Sequence, residues 1–223
     1  MLEQFDRETA GIILLTMRMT LTSTAISAIL GIPFGLWLSK VEFPGKRLIV
    51  SINRTLMGTP PVVVGLVVFL LFMRTGPFGA FRLLFTLEAM IIAQVILITP
   101  IISGVVYTAA ARNGDRIRSF AFTIGAGKLQ TQILLIKELG NEIFFAVITG
   151  FGRAMSEVGA IAIVGGNIRN ITRTMTTTIA LDINRGFRDQ AILFGIVLMI
   201  IAFAVQITAD ILRRKERRVD ENF

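Results

Sequence analysis

The sequence predicts an all-α integral membrane protein with about five transmembrane helices. Three observations carry that prediction. Hydrophobic residues make up 53% of the 223 and only 17% are charged, against about a quarter in an ordinary soluble domain. The mean hydropathy is +0.72. The apolar residues gather in five blocks, each long enough to cross a bilayer, and the charges collect between the blocks.

The first block runs from about Thr9 to Ser39. At about 1.5 Å per residue it is roughly 45 Å long, so it is tilted, bent or partly outside the bilayer. Pro33, flanked by Gly31 and Gly35, predicts a bend. The second block, about Asn53 to Met73, contains Pro60-Pro61, and the third, about Leu84 to Ala110, contains Pro100. The fourth covers about Glu142 to Val164 and the fifth about Gln190 to Leu212. No repeat, low-complexity run or linker interrupts them, so residues 1–223 read as one domain.

The basic residues orient the chain. Fourteen Lys and Arg fall after blocks one, three and five, among them Lys46, Arg54, Arg112, Arg118 and Lys128. Seven fall on the other side: Arg7, Arg74, Arg82, Arg169, Arg173, Arg185 and Arg188. Cytoplasmic loops carry the excess, so the N-terminus is expected outside and the C-terminus in the cytoplasm. Arg213, Arg214, Lys215, Arg217 and Arg218 read as a lipid-headgroup anchor. The net charge of +8 does not indicate nucleic acid, because the basic residues alternate with apolar blocks. There is no Cys for thiol chemistry and no His, the commonest metal ligand and general base. No metal site and no catalytic residues are expected. The start, "MLEQFDRETA", lacks the basic stretch of a cleavable signal peptide.

One amphipathic stretch stands out, "FAFTIGAGKLQTQILLIKEL" at 120–139. It is not a phosphate-binding loop. That motif needs Gly, four residues, then Gly-Lys-Ser/Thr, and Phe122 and Leu129 occupy its two ends. Gly125 to Gly127 predict a turn, and Leu129, Ile133 and Ile136 at helical spacing predict a short helix beyond it. Such a helix either lies on the bilayer or docks on a soluble partner.

The stretch resembles the cytoplasmic loop of ATP-binding-cassette importer permeases, in which a Glu-Ala-Ala motif precedes a Gly by three residues. Gly125 and Ala126 match the Gly of that motif. Ser119 and Phe120 replace its Glu and first Ala, and Glu138 stands near its distal Pro. "MGTPPVVVGLVVFLLFMRTGPFG" at 57–79 resembles the Pro-Pro span of molybdate- and tungstate-type permeases. "GRAMSEVGAIAIVGGNIRNITRTMTTTIAL" at 152–181 resembles their Arg-Ala-x-x-Glu-x-Gly-Ala and Gly-Asn-Ile segments, and is most similar to the tungstate branch.

The resemblance implies a type I importer permease fold with a cytoplasmic coupling segment at about 115–139. Ser119, Ala121, Gly125, Ala126, Gly127 and Lys128 would engage a separate ABC ATPase subunit, which carries the ATP and magnesium; no cofactor is expected on this chain. An extracytoplasmic oxyanion-binding protein, a second copy of the chain and the bilayer of the inner membrane are the other implied partners, with tungstate as cargo and molybdate or sulfate as the alternatives.

Within the blocks, Thr59, Pro60, Pro61, Arg153, Ser156, Glu157 and Asn167 are the candidates for a path or gate. Arg153 and Glu157, four apart on one helix face, read either as a structural ion pair or as part of an anion path. Thr59 is placed to cap a Pro60-Pro61 bend, and Gly165-Gly166-Asn167 to end the fourth block. Thr16, Thr20, Ser23, Thr24 and Ser27 form a hydroxyl stripe that reads as interhelical glue or pore lining. Arg18 is expected to snorkel. A self-sufficient channel or secondary carrier is the rival reading, disfavoured by the few mid-membrane charges and the absence of a repeat. A membrane enzyme lacks any catalytic constellation.

Overall fold

The computed structural model describes the backbone of residues 2–220 and the side chains of residues 8–208 and Ile211. The side chains of Arg7 and of the cluster from Arg213 to Arg218 therefore lie outside the described residues. Every regular element described is helical: α1 Leu2–Lys40, α2 Lys46–Met57, α3 Pro61–Phe72, a 3-10 turn Gly79–Phe81, α4 Leu87–Thr123, α5 Lys128–Glu138, α6 Gly140–Met155, α7 Gly159–Gly165, α8 Met175–Arg185 and α9 Arg188–Asp220. Three helices are long and apolar enough to cross a membrane by themselves, within α1, α4 and α9. The pairs α2 with α3 and α6 with α7 pass the same test together, which makes up to five spans.

The five expected blocks are thus present, but two are broken. α2 ends at Gly58, where backbone bonds return to Thr55 and Leu56. Pro60 then caps α3 and Pro61 occupies its first turn, where a missing N–H has no helical role to lose. Thr59 does not cap α3: its hydroxyl donates back to the Thr55 carbonyl at 3.2 Å. α1 continues through Pro33. Gly31 and Gly35 serve close approach to α4: a Cβ at Gly35 would stand 2.6 Å from the Ser103 carbonyl oxygen. α4 extends well beyond the expected end of its block and carries Arg112, Arg116 and Arg118 as helix rather than loop. Ala and Arg are strong helix formers, and between Ala109 and Thr123 no Pro intervenes.

The described chain forms two compact units, Met1–Ser23, Pro60–Gln94 and Gly152–Phe223 in one, Thr24–Thr59 and Val95–Phe151 in the other. The first has a core of Met19, Met90 and Ile161, with Leu87 and Ile91 against it. α3 packs closely on α7 because position 65 is Gly; a Cβ there would lie 2.6 Å from the Ala160 Cα. Small residues at helix contacts are the membrane's substitute for a hydrophobic driving force. α8 packs on α9, where Ala191 and Phe194 are buried. In the second unit buried Asn53 of α2 donates to the Pro100 carbonyl at 3.2 Å and accepts from Ser103 at 3.0 Å, tying α2 to α4 at its proline.

Gly65→Val is expected to lower the thermal midpoint of the purified chain in detergent, with overpacking costing about 1–3 kcal/mol. Gly195→Ala, in α9 with open space around it, is expected to lose nothing. Equal midpoints for the two variants would contradict the close α3–α7 contact.

Candidate functional site

Two sites emerge, one in each unit. The first is the turn after α4. The N–H of Ala126 reaches the Ala121 carbonyl at 2.9 Å and that of Gly125 reaches Phe122 at 3.0 Å. This is the double closure of a Schellman cap. It needs a left-handed residue, and Gly125 supplies it at φ 72°. Gly127 follows in extended conformation as the N-cap of α5, and its N–H is accepted by the Gln130 side chain at 2.7 Å. Glycine has no side chain to return that bond, so this is half a capping box.

Of the residues proposed for coupling, Ala121 is buried and anchors the cap, while Ser119, Gly125, Gly127 and Lys128 are exposed and Ala126 is half-buried. α5 turns Leu135 and Leu139 inward and leaves Leu129, Ile133 and Ile136 exposed. Phe122 is 86% exposed and Leu129 75%. An apolar ridge thus lies exposed beside a glycine turn and Lys128.

The second site lies in the first unit, at the break between α6 and α7. Residues 156–158 are not helical. Glu157 is 3% exposed, and its carboxylate accepts the Ala160 N–H at 3.0 Å. That bond satisfies a free donor at the start of α7 and places negative charge at its positive end. The Arg153 guanidinium stands 3.7 Å from the other carboxylate oxygen and is itself 36% exposed. The expected pair is therefore present but loose, and Glu157 is held chiefly as a cap. Ser156 donates to the Arg153 carbonyl at 3.1 Å and closes the end of α6.

A hydroxyl network surrounds this break. Thr176 donates to the Glu157 carbonyl at 2.8 Å. Thr174 joins Thr176 and Thr177 at 3.1 Å each. Thr177 donates to Asn167 Oδ1 at 3.0 Å, so Glu157 and Asn167 belong to one network. Thr172 bonds the Gly165 carbonyl and accepts the Ile168 N–H, closing the turn that Gly166 at φ 68° and Asn167 at φ 50° begin. Thr16 of the stripe on α1 accepts the Met175 N–H at 3.0 Å, and Ser23 donates to Gln94 at 2.6 Å. Those two hydroxyls are interhelical glue. Thr20, Thr24 and Ser27 are buried with no partner among the described residues. The α3 start adjoins the same break: a Cβ at Gly159 would lie 3.6 Å from the Val62 nitrogen, one residue after Pro61. Thr59 belongs to the second unit and its hydroxyl bonds the Thr55 carbonyl.

Sequence reasoning missed Gln94 and Glu8. Buried Gln94 also donates to the Ala154 carbonyl at 2.9 Å, in the last turn of α6; a lone amide inside an apolar block was the signal available. Glu8 grips Arg169 with both carboxylate oxygens, the Nε bond measuring 2.8 Å, and stands 3.7 Å from Arg173. Near them Asp182 of α8 is 7% exposed. Burial lifts its carboxyl above the usual range; Arg173 and Arg185 pull it back, and Glu8 adds to the rise.

Comparison with known proteins gives a consistent result. The family model described as "Binding-protein-dependent transport system inner membrane component" matches residues 31–218. The chain is 44% identical to the tungstate uptake system permease protein TupB of Peptoclostridium acidaminophilum, over 92% of this chain and 90% of that one. It is 39% identical to a probable anion ABC transporter permease protein of Haloferax volcanii, over 82% and 81%. A second TupB, from Campylobacter jejuni, is 37% identical over 78% and 72%.

Because Glu157 caps α7 and Arg153 only approaches it, Glu157→Ala is expected to destabilise the chain by about 1–3 kcal/mol. Arg153→Ala is expected to do so by less, and a larger loss for Arg153→Ala in the same melting assay would reverse the assignment. Asp182 yields a pH test. A carboxyl raised in the folded state favours folding below its unfolded range, and that contribution is lost as pH rises through the folded value. The stability of Asp182→Asn relative to the parent is therefore expected to be greatest near neutral pH. It should shrink as pH falls through the carboxylate range, and a pH-independent difference would contradict the raised value.

Proposed function

The chain belongs to the family of binding-protein-dependent transport system inner membrane components, and on that premise we propose that it is the permease subunit of an ATP-driven importer whose cargo is tungstate. It is a multi-pass inner membrane protein. The observation that carries the cargo is the alignment with tungstate uptake permeases over most of both chains.

In this reading residues 1–223 act as one permease domain. The excess of Lys and Arg after blocks one, three and five supports an N-terminus outside and a C-terminus in the cytoplasm. That orientation puts the Gly125 turn and the exposed ridge of α5 in the cytoplasm, within reach of a separate ATPase subunit that binds ATP and magnesium. Ser119, Gly125, Ala126, Gly127 and Lys128 form the contact, over the cap that buried Ala121 anchors. When the ATPases close, the displacement enters α4 at its capped end. α4 is one helix from Leu87 to Thr123 with Pro100 inside it, roughly 55 Å at about 1.5 Å per residue, and carries the displacement toward the membrane. Pro60, Pro61, Arg153, Ser156, Glu157 and Asn167, at the broken spans, form the gate that responds, with Thr59 at the end of α2. The anion arrives from an extracytoplasmic binding protein and leaves to the cytoplasm. A second copy of the chain completes the path. Only 11% of the apolar window of α9 is covered by its own chain, which leaves that helix free for lipid and for the second copy.

Cells that depend on this chain, fed trace tungstate with and without excess molybdate, are expected to lose tungsten when it is deleted, measured by elemental mass spectrometry. Loss of neither metal would overturn the reading, and equal loss of both would replace tungstate by oxyanions in general. Gly125→Val, a β-branched residue forced to positive φ, is expected to abolish uptake while the partner still hydrolyses ATP. Gly125→Asn, which tolerates that conformation, is expected to retain it.

A further inference from the structure

A cavity of about 500 Å³ opens in the first unit where the start of α1, the turn after α7 and the end of α8 meet. Arg169, Arg173 and Arg185 line it, together with the carboxylates of Glu8 and Asp182. Two cations from the turn after α7 and one from α8 therefore face one acid from α1 and one from α8 itself. The cavity is larger than one water, whose share of liquid volume is about 30 Å³, and admits a tetrahedral anion with part of its hydration shell.

The hydrogen bonding within it is unequal. Arg169 is saturated on one edge by the two oxygens of Glu8. Arg173 is not: its Nη1 is 3.7 Å from Glu8, beyond a hydrogen bond, and its Nε is buried with no partner among the described residues. A buried guanidinium N–H without an acceptor is costly. The cost is removed by an acceptor that supplies more oxygens than one carboxylate, with the same fork geometry. A tetrahedral oxyanion has four.

We propose that Arg169, Arg173 and Arg185 form a reception site for a tetrahedral oxyanion dianion, in which the anion displaces Glu8 from Arg169 and takes the free edge of Arg173. Glu8 is the internal stand-in that keeps the arginines apart when no cargo is present. Asp182, in the same lining, offsets one positive charge, so the site holds its anion loosely and releases it inward, as a conducting path requires. The inference rests on the import reading and its orientation, which place this cavity on the extracytoplasmic face.

Equilibrium dialysis of sodium tungstate against the purified full chain in lipid nanodiscs, with tungsten counted by mass spectrometry, tests the site. The parent is expected to bind saturably. Arg173→Gln should weaken binding by about tenfold or more, and Glu8→Gln should tighten it severalfold by removing the competitor. Arg74→Gln, which removes a positive charge outside this cavity, should leave it unchanged. No saturable binding, equal weakening by Arg173→Gln and Arg74→Gln, or weakening by Glu8→Gln would each overturn the proposal. Glu8→Gln keeps it testable even if Arg173→Gln folds poorly, because a folding defect cannot tighten binding. Uptake in cells separates this site from the import reading. If the parent imports tungsten and Arg173→Gln imports it equally, the site falls and the importer stands. If the parent imports none, the importer falls, and dialysis alone decides the site. Impaired uptake with unchanged dialysis would also overturn the site and point to docking of an acidic binding protein on the same arginines.

Discussion

A bilayer offers no water to a broken helix, so each backbone group freed at a break must be satisfied by protein. The break at residues 156–158 meets that constraint with one carboxylate and one hydroxyl. Glu157 accepts the Ala160 N–H, and Thr176 donates to the Glu157 carbonyl. Much else in the first unit follows from this. Thr176 is placed by Thr174, Thr174 starts α8, and Thr177 in the same turn holds Asn167. The threonines of "TRTMTTT" at 172–178 thus divide between the break, the turn after α7 and the cap of α8. Threonine fills both sides of each bond, because its hydroxyl donates and accepts.

The two units solve helix packing by the same means. Backbone approaches backbone where a side chain is missing, at Gly65 against Ala160 and at Gly35 against Ser103. Polar bonds then fix the register: Ser23 with Gln94 in one unit, Asn53 with Ser103 in the other. Dispersion at close range and a few satisfied polar bonds supply what the hydrophobic effect supplies in water.

Legibility in the sequence followed from how local each cause is. The five apolar blocks were readable because the bilayer imposes a length and a composition. The turn at Gly125 was readable because two glycines flanking one alanine, followed by a helical period, have a local meaning. The α6–α7 break was not, since Met155, Ser156, Glu157 and Val158 contain neither Pro nor Gly and the apolar pattern runs on past them. Its cause is the Glu157 side chain, whose capping role depends on its burial. Thr59 looked like a cap for α3 because it precedes the prolines, yet Pro60 itself holds that position and Thr59 faces back. The grip of Glu8 on Arg169 joins residues 161 apart in sequence, a separation across which no periodicity operates. The family resemblance singled out 152–181 as a segment, but the order of bonds inside it depends on contacts between residues that no local pattern reveals.

Charge and hydroxyl are divided along the chain in a way that suits the proposed import of an anion. The guanidiniums of Arg169, Arg173 and Arg185 gather at the ends of helices, beside acids that temper them. Most charges in the membrane-crossing helices lie toward their ends, whereas Arg18 stands at the surface of α1 and Arg153 with Glu157 at the α6–α7 break. Along α1 the stripe is split by function. Thr16 and Ser23 are committed to bonds with α8 and α4, while Thr20, Thr24 and Ser27 are not. A fixed arginine in a low-dielectric span would bind a dianion far more strongly than one at the surface, and an anion so held would not leave. Hydroxyls donate without net charge, so their attraction for an anion stays near that of the water it left. Strong charges that gather an anion and uncommitted hydroxyls that let it go would therefore be complementary halves of one requirement in the proposed import.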